Sequence, residues 1–209
     1  MGEIEAILFD LSGTLVDDLQ AVYKGYVDLC KKYDRKCPSL LQFREEFKLP
    51  YPEFLAEKCY NNVMDAINFW QNAYMNHGSS ITIFPDVIPA LNELKKQDSL
   101  KLGVVSQTPK EQVEQNLKKF NLQNYFDNIV LDRWKPDPKG LLQALEDLNV
   151  TNPQKVVYIG DMKEDIQAAQ KANIQSWAIY RQQGSFNTLE KLEQANPTRI
   201  LSVLTEITN

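Results

Sequence analysis

Short apolar runs that end on a polar or charged residue recur along this chain. Residues 4–10 (IEAILFD) close on Asp10 and are followed by Leu-Ser-Gly-Thr, which predicts a buried strand and then a tight turn. Residues 101–106 (KLGVVS) repeat the pattern and close on a hydroxyl. Residues 128–131 form a shorter run, 155–161 (KVVYIGD) close on Asp161, and 175–179 (QSWAI) read as the final core strand. Between these runs, residues 87–96, 110–120, 139–148 and 164–172 carry apolar positions at helical spacing. Asn173 stands where a helix ends on a left-handed residue, a conformation asparagine tolerates. Strands alternating with helices predict an α/β fold: a Rossmann-like, doubly wound parallel sheet with helices on both faces.

One block breaks the alternation. From about residue 17 to 80 the chain is rich in Tyr, Phe, Leu and Lys at helical spacing, punctuated by Pro38, Pro50 and Pro52, without a strand signal. It predicts a helical cap, residues 16–81, inserted into a core made of residues 1–15 and 82–209. The cap's aromatic residues, Tyr26, Phe43, Phe54 and Trp70 among them, are expected to form its core, with a few facing the site.

A length of 209 residues suits a core with a small cap. Hydrophobic residues at 43% allow a packed interior without staples, and a net charge of −5 disfavours a nucleic-acid partner, which calls for a basic face. A small phosphorylated metabolite needs only one local positive site. Cys30, Cys37 and Cys59 are odd in number and lack metal-ligand spacing, so they read as free thiols in a reducing cytosol. The N-terminus runs straight into a strand without a basic leader, and no apolar run approaches the roughly 20 residues of a membrane span. A cytoplasmic protein off the membrane, monomeric or homodimeric, is expected.

In doubly wound sheets, ligands bind beyond the carboxyl ends of the strands. Asp10, Ser106 and Asp161 stand at such ends, and Lys135 lies in the loop after a fourth strand. Two carboxylates, a hydroxyl and an ammonium make a phosphate site: carboxylates hold Mg²⁺ through oxygen, cation and hydroxyl hold phosphoryl oxygens, and a carboxylate can attack phosphorus. Taken singly, each has a plainer reading. Asp10 could be a turn former, Asp161 and Asp165 could complement a helix N-terminus, and Lys135 could be a solvated loop residue.

Four motifs in order favour the site. They are Phe9-Asp10-Leu11-Ser12-Gly13-Thr14-Leu15, Val104-Val105-Ser106-Gln107-Thr108, Lys135-Pro136-Asp137-Pro138 and Ile159-Gly160-Asp161-Met162-Lys163-Glu164-Asp165. Together they resemble the haloacid dehalogenase-like hydrolases, in the subgroup with a helical cap after the first motif. The resemblance implies a Mg²⁺-dependent hydrolase of a small phosphorylated metabolite. Asp10 would be the nucleophile, Lys135 the neutralising lysine, and Ser106 the phosphate-binding hydroxyl. Thr14 and Gln107 would flank the substrate. Asp10, Asp161 and Asp165 would hold metal, helped by a main-chain oxygen of the Leu11–Ser12 turn, which is expected at Leu11.

One position departs from the pattern. Most phosphatases of this superfamily carry Asp two residues after the nucleophile, as the catalytic acid and base; this chain has Ser12. Such catalysis contributes roughly 10²–10⁴-fold, so Ser12 opens two alternatives. One is a weak or inactive binding member. The other is a phosphonatase or dehalogenase chemistry, the first of which would need a cap lysine such as Lys24. His77, the single histidine, is expected in solvent near the cap exit, and Trp134 is expected to pack on the core.

Overall fold

The computed structural model describes residues 4–58, 60 and 62–208, so Cys59 lies outside the described residues. The predicted strands form β1 (Ala6–Phe9), β4 (Lys101–Val105), β5 (Asn128–Val130), β6 (Val156–Gly160) and β7 (Gln175–Ile179). An additional strand, β8 (Arg199–Leu201), corrects the expectation that residues 175–179 close the sheet. The six strands are ordered β5-β4-β1-β6-β7-β8, and every neighbouring pair is parallel. β1 therefore runs in the middle, flanked by β4 and β6, and the chain returns to each side of it through helices.

Alternate residues of each strand face opposite layers, as the pleat requires. Ile7 and Phe9 join Leu102, Val104, Val157 and Ile159 in one core, which is covered by α5 (Val87–Leu94) and α6 (Lys110–Lys119). Ala6 and Leu8 join Val105, Val156 and Tyr158 in the other, covered by α7 (Lys139–Asp147) and α8 (Lys163–Lys171). A sheet buried on both faces explains why its strands read as unbroken apolar runs. Asn173 ends α8 with φ 58°, as expected.

Between β1 and β4 the chain forms α1 (Leu19–Lys32), α2 (Leu40–Glu46), α3 (Tyr51–Glu57) and α4 (Val63–Asn76). α2 begins on a capping box, in which the Ser39 hydroxyl accepts the Gln42 N–H and the Gln42 side chain accepts the Ser39 N–H. Tyr26, Phe43, Phe54 and Trp70 pack together in a separate core, joined by Met162 and Phe186 from the sheet side. The block enters and leaves through β2 (Val16–Asp17) and β3 (Thr82–Ile83), which pair antiparallel. The sequence signal of helix alone misses this ribbon because two-residue strands are too short to show an alternation.

Two cations join the helical insertion to the sheet. Arg44 donates to the carbonyls of Gln182 and Asn187, both at 3.0 Å. Lys191, in α9 (Leu189–Gln194), donates to the carbonyls of Arg44, Glu45 and Phe47 at the carboxyl end of α2. A cation there complements the helix dipole and satisfies carbonyls that lack helical partners.

Candidate active site

The carboxyl ends of β1 and β6 lie side by side, with Phe9 opposite Ile159, so Asp10 and Asp161 leave the sheet together. Lys135 crosses to them from the loop after β5. Its Nζ lies 2.5 Å from Asp10 Oδ1 and 2.6 Å from Asp165 Oδ1, and all three side chains are buried. Burial raises the Asp10 carboxyl to about 6, against the pull of Lys135 and with a further push from Asp165. Burial alone would lower the Lys135 ammonium, but the carboxylates of Asp10 and Asp165 outweigh it and the net direction is up. The lysine is thus held charged between the two carboxylates.

Oxygens of Asp10, Asp161 and Asp165 all lie within 4.8 Å of one another. The Asp161 carboxyl is pushed well above its usual range, by burial first and then by Asp165 and Asp10. Its Oδ2 accepts the Phe186 N–H at 2.5 Å, while Oδ1 is buried without a partner. An orphaned buried carboxylate oxygen facing two more carboxylates fits a hard divalent cation. Asp165 is more fully engaged: Oδ1 meets Lys135 and the Tyr158 hydroxyl, and Oδ2 accepts the Met162 N–H at the start of α8.

Gly13 makes this cluster possible. Its φ is +71°, and a β-carbon there would fall inside contact distance of the Asp161 carboxylate. Gly13→Ala is expected to lower stability by roughly 2 kcal/mol or more through backbone strain and the clash together. A denaturant midpoint equal to wild type would show that the turn moves aside freely.

The turn also bears on the main-chain contact expected at Leu11. The Leu11 carbonyl accepts the N–H groups of both Leu15 and Val16 at 2.9 Å, so both of its lone pairs are used in closing the turn. The Ser12 carbonyl accepts no hydrogen bond among the described residues. The Ser12 hydroxyl donates to Asp18 Oδ2 at 2.6 Å, and the Tyr74 hydroxyl donates to the same oxygen at 3.2 Å. Asp18 is 1% exposed, its Oδ1 has no partner, and burial raises its carboxyl to about 7 against those two hydrogen bonds. Sequence reasoning passed over Asp18. Its signal was faint: an acidic residue six positions after the serine that replaces an acidic residue.

A cleft of about 700 Å³ of open space lies above Asp10, and Ser12, Asp18, Gln107 and Lys135 line it with it. Gln107 Oε1 also accepts the Lys135 N–H at 3.4 Å. Ser106 is buried just beyond the end of β4, with its hydroxyl accepting the Thr108 N–H, behind the wall that Gln107 and Thr108 form. Thr14, expected beside the substrate, is fully buried outside the cleft wall. Its carbonyl accepts from Arg181, which also grips Asp86 with two hydrogen bonds and so anchors the turn. Lys24 is on the exposed side of α1 and does not line the cleft. His77 is half-buried against Asp28 at 2.7 Å rather than free in solvent. Trp134 is 44% exposed and meets Tyr51 of the insertion instead of the core.

A parallel α/β sheet with an acidic cluster and a buried lysine at its carboxyl edge defines a class of hydrolase. The haloacid dehalogenase-like hydrolase family model matches residues 7–179, and the chain belongs to that family. It is 28% identical, over 98% of its length and all of the relative's, to the phosphorylated carbohydrates phosphatase of Thermotoga maritima. It is 30% identical to the pyrophosphatase PpaX of Bacillus velezensis, covering 84% of this chain and 83% of that one. A haloacid dehalogenase-like family protein from Streptococcus pneumoniae superposes with a TM-score of 0.85 at 25% identity, covering 100% of this chain and 98% of that one. No helix among the described residues is long and apolar enough to cross a membrane.

Proposed function

We propose that this chain is a Mg²⁺-dependent phosphohydrolase that acts on a small phosphorylated substrate through a covalent acyl phosphate on Asp10. The observation that carries the reading is the buried arrangement of Asp10 against Lys135 beside Asp161. The phosphatase names of the relatives support it.

Asp10, Asp161 and the free Ser12 carbonyl would hold the metal, with Asp165 at its edge steadying Lys135. When bound, Mg²⁺ supplies charge to the phosphoryl oxygens. Asp10 attacks phosphorus in line as the bond to the leaving oxygen breaks. Lys135 neutralises the nucleophile before attack and the phosphoryl oxygens during it. The helical insertion caps the cleft and keeps bulk water from it.

The proton steps fall to the pair Ser12 and Asp18. With Asp18 protonated, the Ser12 hydroxyl turns its proton to the leaving oxygen while the carboxyl gives it another, the Ser12–Asp18 hydrogen bond reversing its direction and Asp18 ending as the carboxylate. In the second step the pair takes a proton from the water that attacks phosphorus, releasing Asp10 and inorganic phosphate. The exposed position of Lys24 counts against the phosphonatase alternative, which needs a cap lysine in the site. Phosphate release from p-nitrophenyl phosphate is expected to vanish on chelation with EDTA and return with added Mg²⁺. Activity that persists through exhaustive chelation would overturn the metal-dependent reading.

A further inference from the structure

The wall of the cleft above Asp10 is unevenly furnished. Its charged side chains among the described residues are Asp10, Asp18 and Lys135, and the single cation is already held by Asp10 and Asp165. The apolar part of the wall is Val22, Phe47, Leu49, Trp70, Met162 and Phe186, with the amides of Gln71, Gln107 and Gln112 among its neutral polar groups. Tyr51 lines the same cleft. Its ring lies 6.0 Å from Trp70 and 5.3 Å from Trp134, both edge to face, and its hydroxyl accepts from Gln71 Nε2 at 2.9 Å. Trp134 continues the ledge to the surface, where it is 44% exposed.

This surface discriminates between leaving groups. A second phosphate or a carboxylate would enter an apolar wall that offers it no Lys or Arg, and would meet the acidic side chains of the reacting end. An aromatic ring would instead bury area against Trp70, Met162 and Phe186 and stack or abut the Tyr51 ring. The amides can accept or donate to one neutral polar substituent.

We infer that the substrate is a phosphate monoester whose leaving alcohol is uncharged and carries an aromatic ring, rather than pyrophosphate or an ester with a second anionic group. The inference rests on the phosphohydrolase reading. It is tested by comparing kcat/KM with Mg²⁺ for benzyl phosphate, ethyl phosphate, phosphoglycolate and pyrophosphate. Benzyl and ethyl alcohols have similar acidity, so their ratio reports the cleft and not the chemistry.

Benzyl phosphate is expected to exceed each of the others by about ten-fold or more, the ratio that a ring burial worth about 1.4 kcal/mol produces. Its ratio to ethyl phosphate is expected to fall toward one in Tyr51→Ala. Trp134→Ala, at the exposed end of the ledge, lowers the same ratio and serves if the first variant does not fold. Equal rates for benzyl and ethyl phosphate, or faster turnover of pyrophosphate or phosphoglycolate, would overturn the substrate class and leave the phosphohydrolase reading intact. If none of the four is hydrolysed, that reading fails, and calorimetry with benzylphosphonate and ethylphosphonate decides the cleft. Ten-fold tighter binding of the benzyl compound supports the ledge, and equal binding sinks it.

Discussion

Asp10→Asn is expected to lower kcat for p-nitrophenyl phosphate by at least about 10⁴-fold, the scale on which removal of a nucleophile acts. The amide keeps the size of the carboxylate but cannot attack phosphorus. The loss should not come from unfolding. Lys135 keeps its 2.6 Å ion pair with Asp165 when Asp10 is neutralised, so no buried charge is abandoned. A thermal melt near that of wild type would verify this. Rapid acid quench of wild type with labelled substrate should trap label on the protein, and the variant should trap none. A variant that turns over at the wild-type rate would remove Asp10 from the chemistry and leave the cluster a metal site alone.

The second large effect belongs to Asp18. Asp18→Asn is expected to lower steady-state kcat by about 10²–10⁴-fold, the range of general acid–base catalysis. The loss should depend on the leaving group. p-Nitrophenolate departs without a proton, so the variant should still release close to one equivalent in a burst before water attack on the phosphorylated Asp10 becomes limiting. An alkyl phosphate, which needs the proton, should give no burst. A merely structural role would suppress both alike. The exchange Ser12→Asp with Asp18→Ser keeps one carboxylate and one hydroxyl facing each other across the 2.6 Å contact, and is expected to recover a large part of the lost rate. Wild-type kcat in Asp18→Asn would show that the proton steps run elsewhere.

These predictions show why Ser12 alone misleads. Read along the chain, Ser12 is a missing acid. Folded, its hydroxyl touches a carboxyl that β2 and the start of α1 bring back over the turn. The helical insertion thus contributes to this contact: Asp18 lies where it departs, and Tyr74 of α4 donates to Asp18 from its far end.

The sheet was legible because burial on both faces leaves β1, β4, β6 and β7 as continuous apolar runs, a local signal. β8 was not, since three residues beginning with Arg199 carry no such run and become a strand by pairing with β7. Trp134 was misplaced because its partner, Tyr51, is 83 positions away and belongs to another element.

The sequence by itself determined the alternation of strand and helix, the family, and which residues stand at strand ends. All three follow from local periodicity and from motifs only a few residues long. The tertiary structure decided the rest: that Leu11 spends its carbonyl on the turn while Ser12 does not, that Gly13 makes room for Asp161, that Lys135 sits between two carboxylates, and that Asp18 faces Ser12. Each of these is a contact made by the folding of distant or turned-back segments onto one another, and periodicity along a chain does not encode which turned-back segments meet.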